Sequence, residues 1–291
     1  MFPLRPALAF PPGFDEAALY AFISSVRVAD APEADMLNYC RSDFRRFVYT
    51  WSLASNAQGR ALELGANPYF TTMLLREFTG LDLTLANYFT EGLPSHGEQN
   101  VFFRDPKTTE PSSVVLPFDH FNIENDRFPY NDGTFSVVLF CEIVEHLLMD
   151  PLRVLREIRR VLRSDGELIL TTPNVSRLEN VSKMIAGANI YDPYSGFGPY
   201  GRHNREYNKH ELHHLLTYAG FTPEVMFSAD VHDNNAYAYA AADKLAELVR
   251  FRKEDLGQYL FVRARHATNA KSRKPDFLYR SYPLEELERW P

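Results

Sequence analysis

The sequence predicts an α/β protein with a mostly parallel sheet and helices on both faces. Short apolar runs alternate with amphipathic helical stretches from about residue 58 onward, which is typical of βαβ units. Several of these runs end on a glycine or a polar residue, as strands do at a ligand-binding edge. The predicted strands are 60–65, 81–88, 113–118, 136–141, 166–172, 222–227 and 257–263.

The other segments predict helices, loops and a tail around this sheet. Residues 1–58 predict a helical N-terminal extension or lid, because apolar residues recur at helical spacing from residue 15. The main domain spans 59–265 and contains an insertion at 232–254, whose alanine-rich part predicts a helix over 237–251. A polar loop with prolines and a glycine is expected between 88 and 113. Residues 266–291 form a polar tail that wraps the surface or frays.

The 291 residues carry a formal net charge of −7, and 45% of them are hydrophobic. This composition is typical of a globular protein and excludes a disordered chain. The acidic balance argues against nucleic acid as a partner, because nucleic-acid-binding proteins usually present a basic face. The apolar runs are too short to span a membrane. The two cysteines, Cys40 and Cys141, predict reduced thiols and a cytoplasmic location.

A glycine turn follows the first predicted strand. Gly65 would let the backbone turn tightly beside a bound cofactor. The second and third glycines of a dinucleotide fingerprint are replaced by Asn67 and Phe70, so the turn lacks the close backbone approach that a pyrophosphate needs. This difference points away from NAD and FAD. The alternative is a tight turn that binds no ligand.

Four segments occur in the order found in one enzyme family. They are Leu62-Glu63-Leu64-Gly65, Asn122-Ile123-Glu124, Glu142-Ile143-Val144-Glu145-His146 and Thr171-Thr172-Pro173-Asn174. In this order they resemble the class I S-adenosylmethionine-dependent methyltransferases over residues 58 to about 225. The resemblance implies a Rossmann-like class I methyltransferase sheet, mostly parallel with an antiparallel last strand. It also implies S-adenosylmethionine as the cofactor.

The same resemblance implies which residues hold the cofactor. Glu63 would support the turn, while Gly65 would face the methionine part of the cofactor. Asn87 stands where relatives usually carry an acidic residue for the ribose hydroxyls, and an amide can also bind a hydroxyl. The remaining cofactor positions are Ala66 and Asn67 in the turn, Asn122, Ile123 and Glu124 beside the adenine, and Cys141.

Glu142, Glu145 and His146 have a spacing that suits one helix face. If a helix starts near Glu142, the three side chains project on the same side. Two carboxylates and an imidazole could then hold a divalent ion. The alternative is a pocket without metal, in which His146 lines the cavity or acts as a general base.

A further histidine strengthens the case for a metal. His203 precedes Glu206 by three positions, and this pair resembles the His-x-x-Glu element of metal-dependent 2′-O-methyltransferases that act on small-RNA 3′ ends. By that resemblance the ligands of Mg²⁺ or a similar ion would be Glu142, Glu145, His146 and His203. Such an ion would lower the pKa of an attacking hydroxyl. The catalytic residues would then be His146, Glu142 and Glu145.

The segment 191–203 is rich in tyrosine, glycine and proline. We expect it either to close over the acceptor, with Tyr194, Tyr200 and Arg202 in contact, or to be an ordinary loop. A resemblance to bacterial methyltransferases of glycan assembly implies a sugar or oligosaccharide hydroxyl as the acceptor. Two alternatives stay open: a metal-independent O-methyltransferase of phenols or other small molecules with His146 as the base, and a non-catalytic binding protein on the same fold. A homodimer is one option for its assembly.

Overall fold

The computed structural model describes residues 5–239, 244–245, 247 and 249–290, and a nine-stranded sheet lies at its centre. The strands are β1 (Arg27–Val28), β2 (Gln58–Leu64), β3 (Gly80–Asn87), β4 (His96–Arg104), β5 (Pro111–His120), β6 (Phe135–Cys141), β7 (Leu162–Pro173), β8 (Phe221–Ala229) and β9 (Tyr259–His266). Their order across the sheet is β1-β4-β5-β3-β2-β6-β7-β9-β8. Strands β5, β3, β2, β6 and β7 are parallel, whereas β9 is antiparallel to both neighbours. This arrangement confirms the predicted Rossmann-like class I methyltransferase sheet with an antiparallel last strand.

Helices cover both faces of the sheet because the central strands are apolar on both sides. In β6, Val137 and Leu139 pack into one helix layer, whereas Val138 and Phe140 pack into the other. The first layer consists of α1 (Glu16–Ile23), α2 (Glu33–Ala54) and α3 (Phe70–Phe78), and the second of α4 (Pro151–Val161) and α6 (Lys209–Ala219). A shorter helix, α5 (Leu178–Ile185), follows β7. None of the described helices combines the length and the apolar composition needed to cross a membrane.

The N-terminal helices belong to the same core as the sheet. Asp15 caps α1 by accepting a hydrogen bond from the Ala18 amide at 2.8 Å, and Leu19 is fully buried. Phe44 of α2 packs in the same apolar cluster as Val137 of β6. Residues before β2 therefore complete one face of the domain instead of forming a separate unit.

The expected polar loop between 88 and 113 is wrong, because it contains β4. This strand pairs antiparallel with β5 along its whole length. Glycine at position 97 is a packing requirement here, since an added Cβ would lie 2.5 Å from the ring of Phe118 on the opposite strand. Only Val101 and Phe103 of β4 are buried. Most other positions of the strand are charged or polar, so the sequence does not show the alternation of apolar and polar residues that predicts a strand.

The predicted helix over 237–251 falls partly outside the described residues, which omit 240–243, 246 and 248. The described parts of the 232–254 insertion include the 3-10 turns Asn235–Ala238 and Arg250–Asp255, the second of which continues one residue past the insertion. The first of these turns contacts α5. The insertion therefore lies beside the segment that follows β7.

The C-terminal tail wraps the surface, and Asp150 is its main anchor. The Asp150 carboxylate caps α4 by accepting hydrogen bonds from the amides of Leu152 and Arg153. It also accepts the Lys274 ammonium at 2.7 Å and the Tyr279 hydroxyl at 2.5 Å. Burial acts to raise the pKa of Asp150, but the hydrogen bonds from Lys274 and Tyr279 prevail and hold that pKa below its usual value.

We predict that Asp150→Asn lowers the free energy of unfolding at pH 7 by about 1–3 kcal/mol, because it removes the charge from a partly buried hydrogen-bonded group. A carboxyl whose pKa is depressed by folding stabilises the protein above its unfolded pKa of about 4, and this contribution disappears as the pH falls through the folded value. Urea unfolding at pH 7 and near pH 3 measures the difference. The control Asp165→Asn removes an exposed partner of Arg163 and should have little effect at either pH. A pH-independent loss in Asp150→Asn would contradict the prediction.

Candidate active site

The carboxyl ends of β2, β3, β5 and β6 border a cavity of about 320 Å³. Ligands bind at this edge in open parallel sheets. The predicted cofactor residues that line the cavity are Gly65, Asn67, Asn87, Asn122 and Ile123. We call this space the cofactor cavity.

The glycine turn after β2 forms one wall of the cofactor cavity. Gly65 has a φ of +65°, and the amides of Gly65 and Ala66 both donate to the Ala86 carbonyl. An added Cβ at position 65 would lie 2.9 Å from Ile143 Cδ1. Both the left-handed backbone and the close contact with Ile143 therefore favour glycine at this position.

Asn87 holds the turn in place from the end of β3. Its Oδ1 accepts the Asn67 amide at 2.9 Å, and its Nδ2 donates to the Tyr69 hydroxyl at 3.0 Å. Gln99 of β4 accepts from the Asn67 side chain at 3.1 Å and from the Tyr69 hydroxyl at 2.9 Å. The structure thus gives Asn87 a supporting role at the cavity wall. Nothing in the sequence indicates Gln99 as a site residue, because the sequence predicts a loop where the structure has β4.

Glu63 lies behind the turn and is buried. The Thr72 hydroxyl donates to its Oε2 at 2.7 Å. Burial raises the pKa of Glu63 to about 8, although the bond from Thr72 acts in the opposite direction. Together with Ala66 and Cys141, Glu63 borders a second cavity of about 90 Å³.

Arg46, which no motif in the sequence indicates, also lines this smaller cavity. It projects from α2, and its guanidinium donates to Asp43 at 2.8 Å and to the Tyr39 hydroxyl at 2.6 Å. Its Nε lies 3.9 Å from Glu142 Oε2. A guanidinium at a cavity wall suits a carboxylate ligand. The sequence feature that could have indicated Arg46 is its spacing from Asp43, since the two opposite charges lie one helical turn apart in an aromatic-rich segment.

The segment predicted to edge the adenine divides into two parts. Asn122 and Ile123 line the cofactor cavity, and Asn122 Nδ2 donates to the Tyr200 hydroxyl at 3.3 Å. Glu124 lies behind them, where its carboxylate accepts from the amides of Leu148 and Met149 at 3.0 Å. Glu124 therefore fixes the chain after β6 and does not line the cavity.

Cys141 and Glu142 stand at the end of β6. Burial raises the pKa of the Cys141 thiol to about 12. Glu142 has a φ of +55°, an unusual value for a residue other than glycine, and its Oε1 accepts the Thr171 hydroxyl at 2.7 Å. Burial raises the pKa of Glu142 above its usual value, and the charge of Arg46 offsets only part of this rise.

The expected helix starting near Glu142 is wrong. The left-handed backbone at Glu142 turns the chain, and a single 3-10 turn, Val144–His146, follows. The carboxylates of Glu142 and Glu145 consequently take different directions. Glu142 faces Thr171 and Arg46, whereas Glu145 faces Thr172.

Glu145, His146 and His203 form a cluster in which one ligand atom of each lies within 4.8 Å of the others. Glu145 is fully buried, and its Oε2 accepts the Thr172 hydroxyl at 2.9 Å. Its Oε1 has no hydrogen-bond partner among the described residues and lies 3.9 Å from His146 Nε2. Three of the four predicted metal ligands are thus brought together, and Glu142 lies outside their cluster.

In both imidazoles, Nδ1 is held by an oxygen atom. His146 Nδ1 is 2.9 Å from the Arg202 carbonyl, and His203 Nδ1 is 2.9 Å from Glu206 Oε1. A carbonyl or carboxylate oxygen only accepts, so each Nδ1 donates and each Nε2 is the nitrogen left for a further partner. Burial, followed by the proximity of His203, lowers the pKa of His146.

The electrostatics of Glu145 are unfavourable without a cation. Burial raises the pKa of Glu145 well above its usual value, and the nearby Glu142 carboxylate raises it further. A divalent ion would remove both penalties, because it neutralises the carboxylate and occupies the direction of the unpaired oxygen.

The predicted acceptor residues occupy different positions. Tyr200 lines the cofactor cavity beside Asn122. Arg202 supports His146 through its carbonyl, while its guanidinium lies over the exposed Tyr194 ring at 4.5 Å from the centroid. Tyr194 is not among the described residues that line the cofactor cavity.

Comparison with curated proteins finds a partial match. A probable S-adenosylmethionine-dependent methyltransferase of Mycobacterium tuberculosis, present in two strains, is 35% identical over 100 residues. The match covers 34% of this chain and 31% of the relative, so the matched region is about a third of the relative's length.

Among solved structures, a chain of the Haloferax volcanii complex between the Trm112 methyltransferase activator and a methyltransferase is 16% identical, with a TM-score of 0.48. That match covers 88% of this chain and 99% of the other. A SAM-dependent methyltransferase from Archaeoglobus fulgidus is also 16% identical, with a TM-score of 0.45, and the match covers 78% of this chain and 93% of the other.

The sequence model of one family, described as a methyltransferase domain, matches residues 37–224. That match takes in the glycine turn, the Glu145–His146 segment and His203, and it covers well over half of the chain. The chain therefore belongs to the methyltransferase domain family, the family that the order of its motifs predicts.

Proposed function

We propose that the protein is an S-adenosylmethionine-dependent O-methyltransferase that methylates a hydroxyl of a sugar or glycan, with a divalent ion bound beside the acceptor. The observation that carries this proposal is the cluster of Glu145, His146 and His203 at the edge of the cofactor cavity. Family membership supports the methyl transfer, and the cluster supports a hydroxyl as the acceptor, because a bound cation makes a hydroxyl more acidic.

The cluster fits a divalent ion by three criteria. One buried carboxylate oxygen has no hydrogen-bond partner among the residues that the structure describes, each imidazole has its Nε2 available as a ligand, and each ligand is oriented by a further bond. Two nitrogens and one oxygen favour Mn²⁺, Fe²⁺, Co²⁺ or Zn²⁺ over Mg²⁺, which prefers oxygen ligands. We therefore propose a transition-metal ion in place of the expected Mg²⁺.

The two cavities beside Gly65 would hold the cofactor. Asn122 and Ile123 would hold the adenosine end in the cofactor cavity, and Arg46 would meet the carboxylate of the methionine end in the smaller cavity. When bound, S-adenosylmethionine supplies a methyl group on a sulfonium centre. The buried Glu63 also borders the smaller cavity, and a cationic group of the cofactor bound there would favour its ionised form.

A metal-independent O-methyltransferase is the second candidate function. His146 lines the cofactor cavity, and the Arg202 carbonyl fixes its tautomer so that Nε2 can take a proton. Burial lowers the pKa of His146, so its imidazole is neutral near pH 7 and can act as a base.

We predict that Gln99→Leu weakens the binding of S-adenosylhomocysteine by about threefold to tenfold, because the turn at Asn67 and Tyr69 loses two hydrogen bonds. Calorimetric titration measures the change. Asn100→Leu, at the exposed neighbouring position of the same strand, is the matched control and should bind as the unmodified protein does. Equal binding by both variants would show that Gln99 does not support the turn.

We predict that the purified protein binds one Mn²⁺ or Zn²⁺ per chain. Glu145→Gln and His203→Asn should each lower the affinity at least about tenfold, because each removes a direct ligand. Glu142→Gln should retain the ion, since this carboxylate lies outside the cluster. Metal analysis and calorimetric titration with each ion give the result. Full metal binding by both ligand variants would refute the site, and loss in Glu142→Gln would restore the four-ligand set.

We predict transfer of label from methyl-labelled S-adenosylmethionine to neutral glycosides, with loss of transfer in excess EDTA and in Glu145→Gln. Binding of S-adenosylhomocysteine should persist in EDTA, because the cofactor residues are separate from the cluster. Transfer to catechol that resists EDTA would favour the metal-independent candidate. Absence of both transfer and cofactor binding would favour a non-catalytic binding protein.

A further inference from the structure

A polar pocket of about 140 Å³ adjoins the cluster of Glu145, His146 and His203, and none of its lining residues lines the cofactor cavity. His203 belongs to both the cluster and this pocket. Pro173, at the end of β7, and Tyr259, at the start of β9, form part of its wall. The pocket therefore places a ligand beside the cluster and at the ligand-binding edge of the sheet.

The charged side chains of this pocket already have partners. Arg177 forms an ion pair with Glu206, and Glu206 also accepts from His203. Glu179 pairs with Lys183 at 2.6 Å. The pocket wall thus contains two carboxylates, Glu179 and Glu206, and one guanidinium, Arg177. An anionic ligand would meet the two carboxylates, whereas hydroxyl groups can donate hydrogen bonds to them.

Five large apolar side chains are exposed in the segment that leads from the end of α5 toward His203. They are Met184, Ile185, Tyr191, Tyr194 and Phe197, with exposed fractions of 54%, 57%, 81%, 91% and 92%. All five fall within the fourteen positions 184–197, which begin in the last turn of α5. Soluble proteins scatter such residues singly, so a concentration of this kind marks a binding surface. We call these five residues the apolar collar.

The apolar collar is connected to the pocket at both of its ends. Arg177 and Glu179 stand at the start of α5, and the same helix ends at Ile185. At the other end, the Asp192 carboxylate accepts the His203 amide at 3.0 Å. The Arg202 guanidinium lies over the Tyr194 ring. These bonds keep the collar beside the pocket.

We propose that the acceptor is amphipathic, with an uncharged polyhydroxylated head in this pocket and an attached apolar chain on the apolar collar. This inference rests on the function proposed above, because it assigns the acceptor of that same site. A purely polar acceptor would make no contact with the exposed apolar side chains, and an anionic head would be repelled by Glu179 and Glu206 in the pocket wall.

The test compares three glycosides that differ in the alkyl chain or in the sugar head, in the presence of S-adenosylhomocysteine and the bound metal. The probes are methyl β-glucoside, octyl β-glucoside below its micelle-forming concentration, and octyl β-glucuronide. We expect octyl glucoside to bind at least tenfold more tightly than methyl glucoside, and at least tenfold more tightly than the glucuronide. The double substitution Tyr194→Ser with Phe197→Ser should remove most of the difference between the octyl and methyl glucosides.

Phe102→Ser is the matched control, because Phe102 is an exposed aromatic residue on β4 at the other end of the sheet. It should leave the preference for the octyl chain unchanged. Equal binding of the methyl and octyl glucosides, or no binding of either, would overturn the amphipathic acceptor. Tight binding of the glucuronide would overturn the uncharged head. Cofactor and metal titrations on the same samples separate these outcomes from a failure of the proposed function.

Discussion

The buried Glu145 carboxylate is the constraint on which the site depends. Removing an ionised carboxylate from water costs several kcal/mol unless a charge or hydrogen bonds compensate. Here the Thr172 hydroxyl donates to one oxygen, while the other has no hydrogen-bond partner among the described residues and lies 3.9 Å from His146 Nε2. This oxygen is stabilised when the carboxyl is protonated, when a neighbouring imidazole is protonated, or when a metal ion lies between them. The metal ion proposed above would use the Nε2 atoms that the bonds at Nδ1 leave available.

The backbone at Glu142 creates this arrangement. A positive φ in a residue with a Cβ costs about 1–2 kcal/mol, and the surrounding contacts must compensate for it. The bonds of its carboxylate to Thr171 and its proximity to Arg46 do so. The resulting turn separates two glutamates that a helix would have aligned. One carboxylate joins the wall shared by the two cofactor cavities, and the other joins the cluster with the histidines.

Most of the sheet could be predicted because the central strands are buried on both faces, and uninterrupted apolar runs such as β6 are visible in the sequence. Strand β4, next to the short edge strand β1, buries few residues, so its sequence gives no comparable signal and does not indicate Gln99. Spacing placed Glu145 and His146 in one predicted site, and the structure brings a ligand atom of each within 4.8 Å of the other. Spacing could not reveal the left-handed backbone at Glu142, which depends on contacts with residues distant in the chain. The Asp43–Arg46 pair was the one signal for Arg46, and only the packing of α2 brings this side chain to the cavity.

The segment from Tyr200 to Arg205 connects the cofactor cavity with the polar pocket. Tyr200 accepts from Asn122 in the cofactor cavity, the Arg202 carbonyl orients His146, and His203 enters the polar pocket. The amides of Asn204 and Arg205 both donate to the Glu145 carbonyl, so this segment is fixed to the cluster itself. A ligand shifts the equilibrium between two arrangements of a protein only by the difference between its affinities for them. Because the same few residues contact both cavities and the cluster, a ligand that binds one position of Tyr200 better than another would also bias the position of His203.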